Sequence, residues 1–335
     1  MRHYGKDKPP NSSLQARTLR AMSTAPRYMV SSTELPPAER AVFLESSFFS
    51  RNGPGAELPS PADVRARSAV QNPGAQQTTY RIPPVRYEEL GLIVKFGSAP
   101  RVTVDEGQCL WALRRALPDV LPVPEVYGWT HDGGQVFIFM ELVRGVSLER
   151  RWESLSEVDR EGVCRQLREM ISGLRELRHA PGEFFIGTLG QQPPTDIIFD
   201  CPQNNPPGGP FHSVTEFHDW LSLLIRPGFE HHWPGKKPSE IPDPYRESLP
   251  DAAPVVLTHG DLHPSNIMVS TDSPCKVVAI IDWHQSGWYP DYWEFCKAVF
   301  TAEVNGEWMN RYIPLFLDDS GFADVWDVYA GALGY

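Results

Sequence analysis

The chain has 335 residues, 41% of them apolar, with 42 acidic against 31 basic side chains and a formal net charge of -11. It is long enough for one large two-lobed domain or two ordinary ones, and an acidic balance without clustered Lys and Arg excludes a nucleic-acid partner held through its phosphates. No run approaches the ~18 apolar residues of a membrane span, and Cys109, Cys164, Cys201, Cys275 and Cys296 are odd in number and lack a C-x-x-C pair, so a soluble cytoplasmic protein without a disulfide framework is expected.

Residues 1–30 are polar, without periodicity, and are expected to form a disordered tail. Residues 31–75 read as a helical N-terminal extension. "PPAERAVFLESSFF" begins with proline, and "SPADVRARS" places Ser60 as N-cap, Pro61 at the first helical position and Asp63 at the third. From 76 to 143 the pattern is β-rich, with "GLIVKFG" and "QVFIFMEL" as short buried strands. Between them Thr103 and Glu106 have capping-box spacing, and Glu106, Leu110, Leu113 and Leu117 fall on one helical stripe. From 144 to 335 the chain is mainly helical. "SEVDREGVCRQLREMISGLRELRHAPG" opens with a Ser156/Asp159 capping pair, carries Val163, Leu167, Met170, Leu174 and Leu177 on one face, and stops at Pro181-Gly182. "SVTEFHDWLSLL" repeats the device with Ser213 and Glu216, and the Pro- and Gly-rich stretches 190–212 and 226–250 read as surface loops. The expected class is α+β, a small β-rich lobe followed by a larger helical one.

One stretch carries chemistry. "VVLTHGDLHPSNIMVS" sets His259, Asp261, His263, Ser265 and Asn266 between two apolar runs. As a metal cage, His259, Asp261 and His263 would suit zinc, but Gly260 and Pro264 favour a loop and no second ligand cluster follows. As plain structure, Asp, Ser and Asn bond neighbouring backbone in turns. As a phosphoryl-transfer loop, the spacing H-x-D-L-x-x-x-N is met in full by His259, Asp261, Leu262 and Asn266. There an Asp orients the acceptor hydroxyl, while the Asn and a second Asp hold magnesium, which takes few hard oxygen ligands from protein. "KVVAIIDWHQSG" supplies that second acid, Asp282, at the end of another apolar run, and a hairpin through "STDSPC" would bring it beside Asn266.

"HGDLHPSNIMV" followed by "AIIDWHQSGWYPDYWEFCKA" resembles the aminoglycoside phosphotransferase-like branch of the protein-kinase fold, most of all its fungal members. The resemblance runs from about Leu58 to the C-terminus and includes "LPSPADVR", "VPEVYGW", "FIFMELVRGVSLERRW", "FIGTLG" and "FHDWLS". It implies a protein-kinase-like two-lobe fold and transfer of the γ-phosphoryl group of ATP, with Mg2+, to a hydroxyl of a small-molecule acceptor. It implies that Asp261 is the catalytic aspartate, that Asn266 and Asp282 bind the metal, and that Lys95 contacts the nucleotide phosphates with Glu106 as its ion-pair partner. It places Met140, Glu141 and Val143 at the linker that meets the adenine edge; main-chain groups make that contact, so GTP remains open beside ATP. Neither a nucleic acid nor a membrane is expected as partner.

Residue chemistry bears on several of these roles. An acid on the apolar stripe of a helix that follows a lysine-bearing strand is better buried with that lysine than alone, although the helix cap competes for the same Glu106 carboxylate. His259 and His263 read as supports of the catalytic loop, with a proton shuttle as the other role for His263. Trp283 reads as core, whereas Trp288, Tyr289, Tyr292 and Trp293 read as packing or as a cation-binding surface. His284 stands where the broader family often has an acid. There are departures too: no G-x-G-x-x-G precedes Lys95, where only Gly74 and Gly91 occur, and Gly260 replaces the Arg of the kinase H-R-D. No A-P-E follows Asp282, so control by activation-loop phosphorylation is not indicated. The missing glycine loop, whose amides cradle phosphate, leaves open a pseudokinase, a nucleotide-binding or scaffold protein without efficient transfer. Intact Lys95, Glu106, Asp261, Asn266 and Asp282 oppose it.

Overall fold

The computed structural model describes residues 28–53, 55–74, 82–199, 208–227 and 233–334. The expected disordered tail therefore lies almost wholly outside the described residues, as do 75–81 of the stretch before Lys95. In chain order the N-terminal part runs β1 (Tyr28–Val30), β2 (Arg40–Val42), α1 (Ser47–Asn52), α2 (Pro61–Gln71), β3 (Val85–Tyr87), β4 (Leu92–Gly97), α3 (Val104–Ala116), β5 (Val126–Asp132) and β6 (Gln135–Glu141).

Five of these strands form one antiparallel sheet in the order β2-β5-β6-β4-β3. Side chains alternate across a pleated strand, and the alternation sorts the sheet into two faces. Leu92, Val94 and Phe96 of β4 and Phe137 and Phe139 of β6 join Phe48 of α1 and Val64 of α2 in one apolar layer. Ile138 and Met140 pack on the other side with Leu110 and Leu113 of α3. Lys95, between Val94 and Phe96, is thereby turned to the α3 side. The helix crosses the sheet closely at Gly107, where a Cβ would stand 2.9 Å from the Trp129 ring.

The C-terminal part runs β7 (Val146–Ser147), α4 (Leu148–Arg151), α5 (Glu157–Leu174), β8 (Leu177–His179), α6 (Val214–Ile225), β9 (Val255–Thr258), β10 (Ile267–Val269), β11 (Val277–Ile280), β12 (Gly287–Pro290), α7 (Trp293–Phe300), α8 (Ile313–Phe316) and α9 (Ala323–Ala332). Its short strands pair as β11-β10-β7 and β12-β9. One core cluster is continuous from α3 through α5 to the β10–β11 hairpin, and a second packs α6, α7 and α9 together. The architecture is thus the expected α+β pair of lobes. Among the described residues no helix is long and apolar enough to cross a membrane.

Three local expectations are corrected. "PPAERAVFLESSFF" is not one helix: Arg40–Val42 pair with Gly128–Thr130 as the edge strand β2, and the helix begins only at Ser47. The long helix ends at Leu174, not at Pro181, because Leu177–His179 pair in parallel with Tyr28–Val30. The 190–212 stretch is not wholly a surface loop, since Ile198 and Asp196 are buried. Three caps form as expected: Ser60 and Asp63 make a full capping box, and Ser156 and Ser213 accept from the amides of Asp159 and Glu216. Trp288, Tyr289, Tyr292 and Trp293 are at most 1% exposed and serve packing, as does Trp283.

His179 gives this fold a pH dependence. Its Nε2 donates to the Phe185 carbonyl at 3.0 Å and its ring stacks on Trp288, and burial pushes its pKa down to about 4. The unfolded chain protonates a histidine near pH ~6.5, so this contribution to stability is complete above that pH and is lost as pH falls toward 4. The stability difference between wild type and His179→Gln in urea unfolding should therefore shrink between pH 6.5 and 4. A difference that stays constant over that window would contradict the assignment.

Candidate active site

Lys95 Nζ donates to Glu106 Oε2 at 2.5 Å and to Asp282 Oδ1 at 2.7 Å. Lys95 and Glu106 are buried, at 5% and 2% exposure. The Glu106 carboxylate goes to Lys95, because a buried ammonium left without a carboxylate costs far more than an unmade cap, and the Thr103 side chain makes no cap bond. Asp282 follows β11 with φ 68 and ψ 60, the left-handed region that non-glycine residues rarely occupy and that clusters at functional sites. His284 does not vacate this place. Its Nδ1 lies 2.9 Å from the same Asp282 oxygen.

The candidate catalytic loop lies between β9 and β10. Antiparallel pairing of Ile267 with Ile280 sets Asn266 and Asp282 just beyond the same end of a hairpin, where the Ile281 amide donates to the Asn266 carbonyl at 2.9 Å. His259 bridges the two loops. Its Nδ1 accepts the Asp261 amide at 3.1 Å, which leaves Nε2 to donate to the Ile281 carbonyl at 3.0 Å. His263 caps the turn Pro264–Asn266, its Nδ1 lying 3.2 Å from the Ser265 amide and 2.8 Å from the Ser265 hydroxyl. Asn266 Nδ2 donates at 2.9 Å to both the carbonyl and Oδ2 of Asp261. Asp261 Oδ1 has no partner among the described residues.

With its nitrogen committed to Asp261, Asn266 presents an amide oxygen, and Asp282 presents a carboxylate at the other arm of the hairpin. Two hard oxygen ligands from protein suit magnesium on a polyphosphate. They do not suit zinc, and among the described residues no group of three His, Cys, Asp or Glu is placed to hold a metal ion. The alternating His-Asp-His is spent on backbone and hydroxyl groups.

A cleft of about 290 Å³ opens beside this loop. Ile93, Met140, Leu142, Met268 and Ile281 give it apolar walls, Glu141 and Val143 lie at the linker, and Lys95, Glu106 and Asp282 form its charged end. Asp261, Asn266, His259 and His263 are not on the lining; His259 and Asn266 meet it through their hydrogen bonds to Ile281.

Several supporting residues escape a reading of the sequence. Glu294 of α7 accepts the His259 amide at 2.6 Å and the Gly260 amide at 3.1 Å, and burial pushes its pKa up. Gly260 has φ 78, and a Cβ there would stand 2.7 Å from the Gln285 carbonyl oxygen, which is why no arginine occupies this position. One turn along α7, the fully buried Lys297 donates to Asp196 Oδ1 at 2.7 Å and Gln285 Oε1 at 3.0 Å, while Trp293 Nε1 donates to Asp196 Oδ2 at 2.9 Å. The same segment bonds Thr195 Oγ1 to the His284 carbonyl at 3.0 Å and Thr188 Oγ1 to Asp105 at 2.7 Å, so it straps α3 to the loop after Asp282. A glutamate and a lysine one turn apart among Trp293, Phe295 and Cys296 were the available signal, since charges in an apolar helix need buried partners. Asp196, in a Pro-rich stretch, carried none.

Fold and site together define a kinase-fold phosphotransferase. The chain belongs to the phosphotransferase enzyme family, whose profile matches residues 73–331. No curated protein matches it. Among solved structures it is similar to the aminoglycoside phosphotransferase APH(3'')-Id of Streptomyces rimosus in complex with ADP and streptomycin, at 15% identity and a TM-score of 0.47 over 83% of this chain and 100% of that one. It is also similar to a putative fructosamine-3-kinase of Haemophilus somnus, at 17% identity and a TM-score of 0.42 over 71% of this chain and 73% of that one. Likeness at this level carries nothing about acceptor or rate.

The buried pair under the site is directly testable. Removing one partner of a buried ion pair costs about 3–5 kcal/mol, so Lys297→Met should lower urea-unfolding stability by that order. Adding Asp196→Asn should recover much of the loss. A Lys297→Met protein as stable as wild type would show that the pair does not anchor this helix.

Proposed function

We propose that the protein transfers the γ-phosphoryl group of a nucleotide, ATP in the first place, to a hydroxyl of a small-molecule acceptor, with magnesium. The observation that carries this reading is the Lys95 ammonium held by both Glu106 and Asp282 at the charged end of an apolar cleft. The base lies between Ile93, Met268 and Ile281 against the linker, and the phosphates extend toward Lys95. Asn266 and Asp282 are the residues that would hold magnesium, which would supply positive charge against the phosphates.

Asp261 acts on the acceptor. Asn266 holds its Oδ2, which aims Oδ1 at the hydroxyl, and Oδ1 accepts the hydroxyl proton as the hydroxyl oxygen bonds to the γ-phosphorus. The bond from that phosphorus to the β–γ bridging oxygen breaks, and nucleoside diphosphate leaves with the electron pair. Little covalent help is needed; positioning and charge stabilisation supply the rate. His259 and His263 fix the loop and take no proton from the substrate.

The other reading is a nucleotide-binding scaffold without efficient transfer. Pro83 and Pro84, which line the cleft and bring no N–H to it, favour that reading. The full polar set from Lys95 to Asp282 opposes it. A panel of hydroxylated metabolites assayed with γ-labelled ATP should give a labelled product. With that acceptor, Asp261→Asn should lower turnover by roughly 10²–10⁴-fold and leave nucleotide affinity within a few-fold. Wild-type turnover in Asp261→Asn would remove the mechanism, and nucleotide binding without transfer to any acceptor would favour the scaffold.

A further inference from the structure

The cleft has a feature that a glycine loop would make unnecessary. β3 and β4 pair with Val85 opposite Val94, Arg86 opposite Ile93 and Tyr87 opposite Leu92, so one step back along that register Pro84 stands over Lys95. Ile82, Pro83 and Pro84 line this part of the cleft, and the two prolines have no amide hydrogen to offer a phosphate. The Arg86 amide is committed as well, donating to Gln71 Oε1 at 2.9 Å while Gln71 Nε2 donates to the Arg86 carbonyl at 2.7 Å.

The Arg86 side chain is placed differently. Val85 and Tyr87 on either side of it are buried in the outer apolar layer with Val64 and Phe48, so the alternation turns Arg86 to the opposite face. There it lines the cleft with Ile93 and Lys95. Nearby arginines of α2 are paired, Arg67 with Glu89 and Arg65 with Asp132. Arg86 is not: among the described residues its guanidinium has no hydrogen-bond or ion-pair partner. Strands lie ~4.8 Å apart and rise ~3.3 Å per residue, so the space over Lys95 is within reach of a long side chain starting at Arg86. A guanidinium offers several N–H donors in a fixed fork that matches phosphate oxygens.

We infer that Arg86 is a phosphate ligand of the nucleotide, gripping from the roof of the cleft the anionic oxygens that the amides of a glycine loop would otherwise hold. The assignment rests on the nucleotide site proposed above. It makes the roof a side-chain device, so the share of the affinity that Arg86 supplies depends on the number of phosphates and not on the base.

The test is calorimetric titration of ATP, ADP and adenosine, with magnesium, into wild type, Arg86→Ala and Arg86→Lys. Loss of a charge-assisted contact should weaken ATP by about tenfold or more in Arg86→Ala and leave adenosine within twofold, with Arg86→Lys intermediate for ATP. Because the guanidinium makes no hydrogen bond or ion pair with another described residue, the melting temperature without ligand should move little. Unchanged ATP affinity in Arg86→Ala would make it a solvated arginine, and equal losses for ATP and adenosine would make it a contact to the base; either result overturns the assignment while leaving the nucleotide site intact. A wild type that binds no nucleotide removes the site and this assignment together.

Discussion

The molecule is organised around one ammonium group. Lys95 is buried on the inner face of the sheet, and its charge is tolerable there only because Glu106 of α3 and Asp282 of the helical lobe close on it. That requirement fixes α3 against the sheet and ties the two lobes at the mouth of the cleft.

The loops that bear Asp261 and Asp282 take their positions from α7. Glu294 holds the amides just ahead of Asp261, and Lys297, one turn on, holds Gln285 just beyond Asp282. Two charged residues on one helix face thus set the spacing between Asp261 and Asp282. His259 adds a direct tie, from the Asp261 amide to the Ile281 carbonyl. The strap from Thr188 to Ile197 carries the same restraint to α3 through Asp105. The loop after Asp282 and the Lys95–Glu106 pair are therefore parts of one connected set of bonds.

Much of this was legible in the sequence, and the failures have physical causes. The lysine within the short apolar run "GLIVKFG" and the helical stripe that begins at Glu106 gave an ion-paired lysine and glutamate, and H-x-D-L-x-x-x-N with a following apolar strand located the hairpin. Capping was read correctly at Ser60, Ser156 and Ser213, and at Glu106, where cap and ion pair competed, the preferred ion pair with Lys95 is the one that forms. Arg40–Val42 became a strand because β5 offers an unpaired edge, and Leu177 left the helix because β1 pairs with it. Both are long-range choices that local pattern does not encode. Asp196 was invisible for the same reason: its partner lies 101 residues away.

The most direct test of the central claim is thermal unfolding with ATP, in magnesium and in chelator, for wild type and Asp282→Ala, each read against its own ligand-free midpoint. Nucleotide at about 100 times its dissociation constant should stabilise wild type by ~2.7 kcal/mol, a shift of several degrees. The account predicts that this shift needs magnesium and is lost in Asp282→Ala. A shift of equal size in chelator, or one retained in Asp282→Ala, would contradict the role given to the Lys95–Asp282 end of the cleft.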